Sequence, residues 1–124
     1  MKLFTVEEAN DLLPRMRLKL GMIKELYTTI DGYRESAKAA AAASEFGGGM
    51  VGGGEYVDSL YNVGKLTTEI IRAGVQLKDH QTGLIDFPSM RGGRVVLLCW
   101  KLGEGDSIEW WHESEAGFAG RQPL

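Results

Sequence analysis

Four residues in the final third of the chain have the types and settings that chemistry needs: Asp86, Glu104, His112 and Arg121. Asp86 lies between Ile85 and Phe87, and a charge in so apolar a run must be paired or hydrogen-bonded. Arg121 in the C-terminal tail and His112 on a neighbouring strand are its expected partners. An ion pair pinning the tail is the plain reading, and a general base or metal ligand the sharper one. His112 follows Trp110-Trp111 and, in a strand, shares a face with Trp110. Core edge, ligand platform and metal site all remain open for it. Glu104 sits in Gly103-Glu104-Gly105, either as a solvated turn residue or as a carboxylate presented towards His112. With Arg121 as an anion clamp, the four would form a hydrolytic or metal-assisted site where sheet meets tail. A divalent metal is the candidate cofactor. His112, Asp86 and Glu104 would be its ligands, a set that suits a hard or mixed-ligand ion.

Other constellations are quickly exhausted. With two histidines and one cysteine, a closed four-ligand site of Cys and His alone cannot be built from one chain. No H-E-x-x-H, C-x-x-C or G-x-S-x-G occurs. Cys99, between Leu98 and Trp100, reads as a small buried hydrophobe. Trp100, Trp110 and Trp111 are either core or a binding platform for a ligand or protein. Gly47, Gly49 and Gly52 formally satisfy G-x-G-x-x-G, but no strand precedes them, so a flexible linker is expected.

The elements that must position these residues come in three blocks. Thr5 and Glu8 form a capping box. Behind it Ala9, Leu12, Leu13, Met16, Leu20, Ile23, Tyr27 and Ile30 recur at helical spacing. This predicts a long helix over 1–46, about 60 Å if Pro14 and Gly32 do not break it. A Gly-rich linker at 47–54 leads to a second helix over 55–74, whose expected buried face is Val57, Leu60, Tyr61, Gly64, Thr67, Ile70 and Ile71. Gly21, Gly32 and Gly64 mark close packing or a bend. Residues 75–124 form the β part. Arg94–Lys101 is apolar on both faces, as a central strand should be, and Leu84–Phe87 and Ser107–His112 flank it. Val75–Leu77 is a short extended segment, and the tail an irregular closing loop. The expected fold is one α+β domain, a long antiparallel helical hairpin packed on a small three-stranded antiparallel meander.

Composition excludes several classes. Fourteen basic and 17 acidic residues in 124 leave a net charge of −3, unlike the basic stripe of a nucleic-acid binder. Outside the alanine tract the longest apolar run, Val95–Trp100, is far short of the ~20 residues of a membrane helix. No signal-peptide apolar region fits the N-terminus, and a single cysteine suits a reducing compartment. A cytoplasmic protein is expected, with neither nucleic-acid nor membrane partners.

Several stretches resemble a bacterial and archaeal family catalogued as domain of unknown function 2203. They are Gly83-Leu84-Ile85-Asp86-Phe87-Pro88-Ser89, Leu98-Cys99-Trp100-Lys101-Leu102-Gly103-Glu104, Trp111-His112-Glu113 and Gly117-Phe118-Ala119-Gly120-Arg121. The opening Phe4–Pro14 is similar to the family's start, and only residues 37–54 depart from it. The resemblance implies no activity and carries no catalytic residues.

Two functions follow as expectations. The first is a non-enzymatic module that binds a protein partner or small ligand and self-associates as a homodimer. Its helical seam is longer than one hairpin and a small sheet can hide. The second is the small enzyme outlined above.

Overall fold

The Thr5–Glu8 capping box forms as the sequence predicts. The Glu8 amide donates to Thr5 Oγ1 (3.1 Å), and the Thr5 amide to Glu8 Oε1 (3.0 Å). That exchange holds the Glu8 carboxyl below its usual range, chiefly through the Thr5 amide. The structure is a computed structural model describing residues 1–43 and 53–124. Helix α1 runs over Val6–Ala43, through Pro14 and on past Gly32, and α2 covers Gly53–Arg72. Most of the predicted linker, 47–52, and the expected end of the first helix, 44–46, lie outside the described residues. Lys19 pairs with Glu69 (2.8 Å) and Tyr33 donates to Glu55 (2.5 Å), so α1 and α2 lie against each other in opposite directions.

The α1 seam is the expected one: Ala9, Leu13, Met16, Leu20, Ile23 and Ile30 are buried. On α2 the expected face is corrected. Ser59, Val63, Leu66 and Ile70 are buried, whereas Val57, Leu60, Tyr61 and Ile71 face outward. This helix carries apolar residues on two faces, and periodicity alone does not choose between them. Nor do the helical glycines mark close packing inside the chain. A Cβ built at Gly21, Gly32 or Gly64 would meet nothing within 4 Å among the described residues.

The sheet has five strands rather than three, in antiparallel order β1 to β5. They are β1 (Gln76–Asp79), β2 (Leu84–Arg91), β3 (Arg94–Lys101), β4 (Trp110–Glu113) and β5 (Gln122–Pro123). Strand β3 has the expected bounds. Strand β2 continues through Pro88, where a stop was expected, because on that stretch its other edge takes the N-terminus. The Phe4 amide donates to the Pro88 carbonyl (2.7 Å), and buried Ser89 donates to the Phe4 carbonyl (2.6 Å). Gly92 and Gly93, both at positive φ (59° and 77°), close the β2–β3 hairpin as a two-residue turn that suits the strand twist. The tail is ordered: a 3-10 turn over Phe118–Gly120 leads into β5, which pairs with Trp110 and Trp111. Such a short strand was invisible to periodicity, and Pro123 suits an edge position.

Alternation gives the sheet two distinct faces. Ile85, Phe87, Val96, Leu98, Trp100 and Trp111 join Leu13, Met16, Leu20, Ile23, Leu66 and Ile70 in the main core. Their neighbours in the chain, Asp86, Leu97, Cys99 and His112, are also buried but point to the other face. Among the described residues no helix is long and apolar enough to cross a membrane.

Candidate functional site

Asp86 and His112 reach the outer face by strand register. Asp86 lies opposite Cys99 on β3, and His112 on β4 lies opposite Leu97. The two side chains meet across β3, with His112 Nε2 3.1 Å from Asp86 Oδ2 and both side chains at most 3% exposed. Of the two expected partners, His112 and not Arg121 takes the Asp86 carboxylate. Buried Cys99 completes the group: one donor atom each from Asp86, Cys99 and His112 lie within 4.8 Å of one another.

The second pair is separate. Arg121 Nη2 donates to both oxygens of Glu104 (3.0 and 2.7 Å), and the Lys101 amide donates to Glu104 Oε1 (2.7 Å). Glu104 therefore does not face His112. The turn after β3 curls its carboxylate back to its own strand end, where Arg121 caps it. The Arg121 guanidinium also lies over the rings of Trp110 (4.9 Å) and Phe118 (4.6 Å), closing the tail over the outer face. Helix α1 fixes the same turn from the other side. Arg17 donates to the Gly105 carbonyl and pairs with Asp106, and Asn10 accepts from the Ile108 amide. The four predicted residues thus form two pairs, not one convergent set. The tryptophans do not share a platform either. Trp100 and Trp111 are in the core facing the helices, and Trp110 lies beneath Arg121.

The arrangement limits the chemistry available. His112 Nδ1 sits 2.7 Å from the Glu113 carbonyl oxygen, an obligate acceptor, so it carries a hydrogen and donates. With Nε2 turned to Asp86, neither ring nitrogen is placed to accept the Cys99 proton, and a Cys–His nucleophilic pair is not assembled. The thiol is pushed up to about 12, first by burial and then by the Asp86 carboxylate, with Arg121 opposing. A nucleophilic thiolate needs the reverse shift.

The model of a family described as an uncharacterized conserved protein, DUF2203, matches residues 2–124. The chain belongs to this family. No curated protein and no solved structure matches significantly. The stretches on which the resemblance rests supply both pairs. Sequence reasoning took Cys99 only as core filling. The signal that finds it is the Gly92-Gly93 turn: counting equally outward from it sets Asp86 against Cys99.

Proposed function

We propose that the protein is a non-catalytic module that self-associates through the outer face of its two helices, the partner being a second copy of the chain. The observation that carries this reading is a continuous furrow along that face. A cavity of about 510 Å³ between the helices is lined by Met22, Leu26 and Leu66 with Glu25, Lys65 and Glu69. It runs on past Leu18 and Gly21 on α1, and past Leu60, Tyr61 and Gly64 on α2. Leu18 and Tyr61 are 67% and 70% exposed.

The glycines support the same reading. Each costs a helix about 1 kcal/mol relative to alanine, and Gly21 and Gly64 face open space. A closely approaching helix would use that space. A two-fold arrangement brings each contact in twice.

Sedimentation across the micromolar range is expected to show a dimer. Gly64→Arg, which projects a charge into the furrow, should yield a monomer with unchanged circular dichroism. A wild-type chain that stays monomeric throughout that range refutes the proposal.

A further inference from the structure

The outer face of the sheet has an unexplained polar centre. Because His112 Nδ1 donates to the Glu113 carbonyl, a neutral ring turns a bare Nε2 lone pair towards Asp86 Oδ2, setting two acceptors 3.1 Å apart. The other carboxylate oxygen, Asp86 Oδ1, is buried and, among the described residues, has no hydrogen-bond partner. An unsatisfied buried carboxylate oxygen is costly. Cys99 Sγ is buried beside both groups. A shared proton would account for the Nε2–Oδ2 contact, and the Cys99 thiol leans on the same carboxylate, but Oδ1 is still left without a hydrogen-bond partner among the described residues.

We propose that Asp86, Cys99 and His112 bind a divalent cation of the zinc class. One ion accounts for all three features: it takes the Nε2 lone pair, the carboxylate and the sulfur together. A backbone carbonyl fixing Nδ1–H, so that Nε2 points to the ion, is the usual support of a metal-bound histidine. Ordinary Zn–O, Zn–N and Zn–S bonds in a tetrahedron place such donors about 3.3–3.6 Å apart. The nitrogen and oxygen, 3.1 Å apart, are already near that spacing, and the sulfur, within 4.8 Å of both, reaches it by closing on them by at most about 1.5 Å. The mixture of sulfur, nitrogen and oxygen selects zinc-like ions over magnesium or calcium, which take oxygen. Asp86, with its second oxygen free, can fill two positions.

The donors come from β2, β3 and β4, so the ion ties three adjacent strands beneath the tail. Binding converts the Cys99 thiol to a metal thiolate and releases its proton to solvent. No oxidant or reductant is involved. The site stands apart from the helical furrow and does not depend on dimerisation.

The test uses the full-length protein without an affinity tag. Elemental analysis is expected to find close to one zinc-class ion per chain. After chelation, Co²⁺ titration should give a thiolate-to-cobalt charge-transfer band in the near ultraviolet and tetrahedral bands in the visible. Cys99→Ser, nearly isosteric, should abolish the ultraviolet band. Asp86→Asn should weaken cobalt binding by at least the ~10–100-fold that loss of even an outer-sphere partner costs. The wild-type spectrum alone decides the matter if either variant misfolds. Failure of Co²⁺ and Zn²⁺ to bind at micromolar concentration overturns the proposal. So does a cobalt spectrum that Cys99→Ser leaves unchanged.

Discussion

Removing the Glu104 carboxylate should release the tail. In Glu104→Ala, Arg121 loses its anionic partner and the Lys101 amide its acceptor. Both Arg121 contacts come from a single nitrogen, so they count as one charged interaction, and the Lys101 bond as a second. Hydrogen bonds to charged groups contribute about 1.5–3 kcal/mol each, giving ~3–6 kcal/mol before relaxation. Two effects pull towards the lower end. The Glu104 side chain is 24% exposed, so water replaces part of what is lost. Arg121 also keeps the faces of Trp110 and Phe118.

The expected loss is therefore about 3 kcal/mol, or roughly 10 °C in Tm for a chain of this length. Urea unfolding with chelator in every sample measures it free of any metal contribution. Glu104→Gln keeps an acceptor for Lys101 and a neutral bond to Arg121, and should lose about half as much. In a double-mutant cycle with Arg121→Met, the coupling should be about 1.5 kcal/mol. Amide exchange adds a local readout, since the Leu124 amide, which donates to the Glu109 carbonyl, should lose protection first. A loss below about 1 kcal/mol, the value of an exposed pair, would refute the clamp. Strict additivity in the cycle would refute it as well.

Further predictions concern the scaffold. Leu20→Ala should cost about 3 kcal/mol, because Leu20 is buried between helix and sheet. Leu18→Ala, in dilute protein, should stay within about 0.5 kcal/mol. Chemical denaturation of both variants checks the assignment of the two α1 faces. Gly83→Ala places a Cβ 2.6 Å from Leu102 Cβ at φ +70° and should cost about 2–3 kcal/mol. Gly93→Ala, at φ +77° with open space, should cost only about 1 kcal/mol. Equal losses for the two would show that the Leu102 contact does not matter. Lys19 holds the Glu69 carboxyl below its ordinary 4.5, mainly through their hydrogen bond. Its contribution is therefore full above that value and lost as pH falls through the depressed folded value. Lys19→Met should flatten stability against pH in that acid window, with Lys65 retaining a smaller part. An unchanged slope in acid titration of the unfolding midpoint would contradict this.

How far the sequence reveals this molecule depends on the range of the interaction read. The capping box, the α1 seam from Ala9 to Ile30 and the bounds of β3 were legible because each is set by neighbours within a few residues. On α2 the apolar residues of both faces follow helical spacing, and only contact with α1 decides that Val63 and Leu66 go inside. Strand β5 exists because Trp110 and Trp111 offer it an edge, which no pattern within Gln122–Pro123 encodes. At the site, Asp86 and His112 stood out because a charge or a histidine among apolar residues needs an explanation. Cys99 did not, since its neighbours suit an inert thiol. Its meaning appears only when β2 and β3 are paired. For Glu104 the turn leaves two readings, a solvated residue or a carboxylate facing His112 across the hairpin, and the tail decides against both by supplying Arg121.

The two faces of the sheet ask different things of the chain. Helices bury one face with apolar area, an additive term spread over many side chains, so single losses there are graded. Among the described residues no helical layer covers the other face. It is closed by a 3-10 turn, the Arg121 stack and a short strand, and beneath them lie Asp86, Cys99 and His112. A cover this thin cannot supply much hydrophobic energy, so its stability must come from a few directional contacts whose members fail together. That separates the two proposals physically. Dimerisation belongs to the helical face, and the cation to the sheet's outer face. Gly64→Arg should dissociate the dimer and leave the cobalt spectrum intact, while Cys99→Ser should alter the spectrum and leave the dimer intact. If one substitution changed both, the core between the faces would be transmitting strain, and the independence argued here would fail.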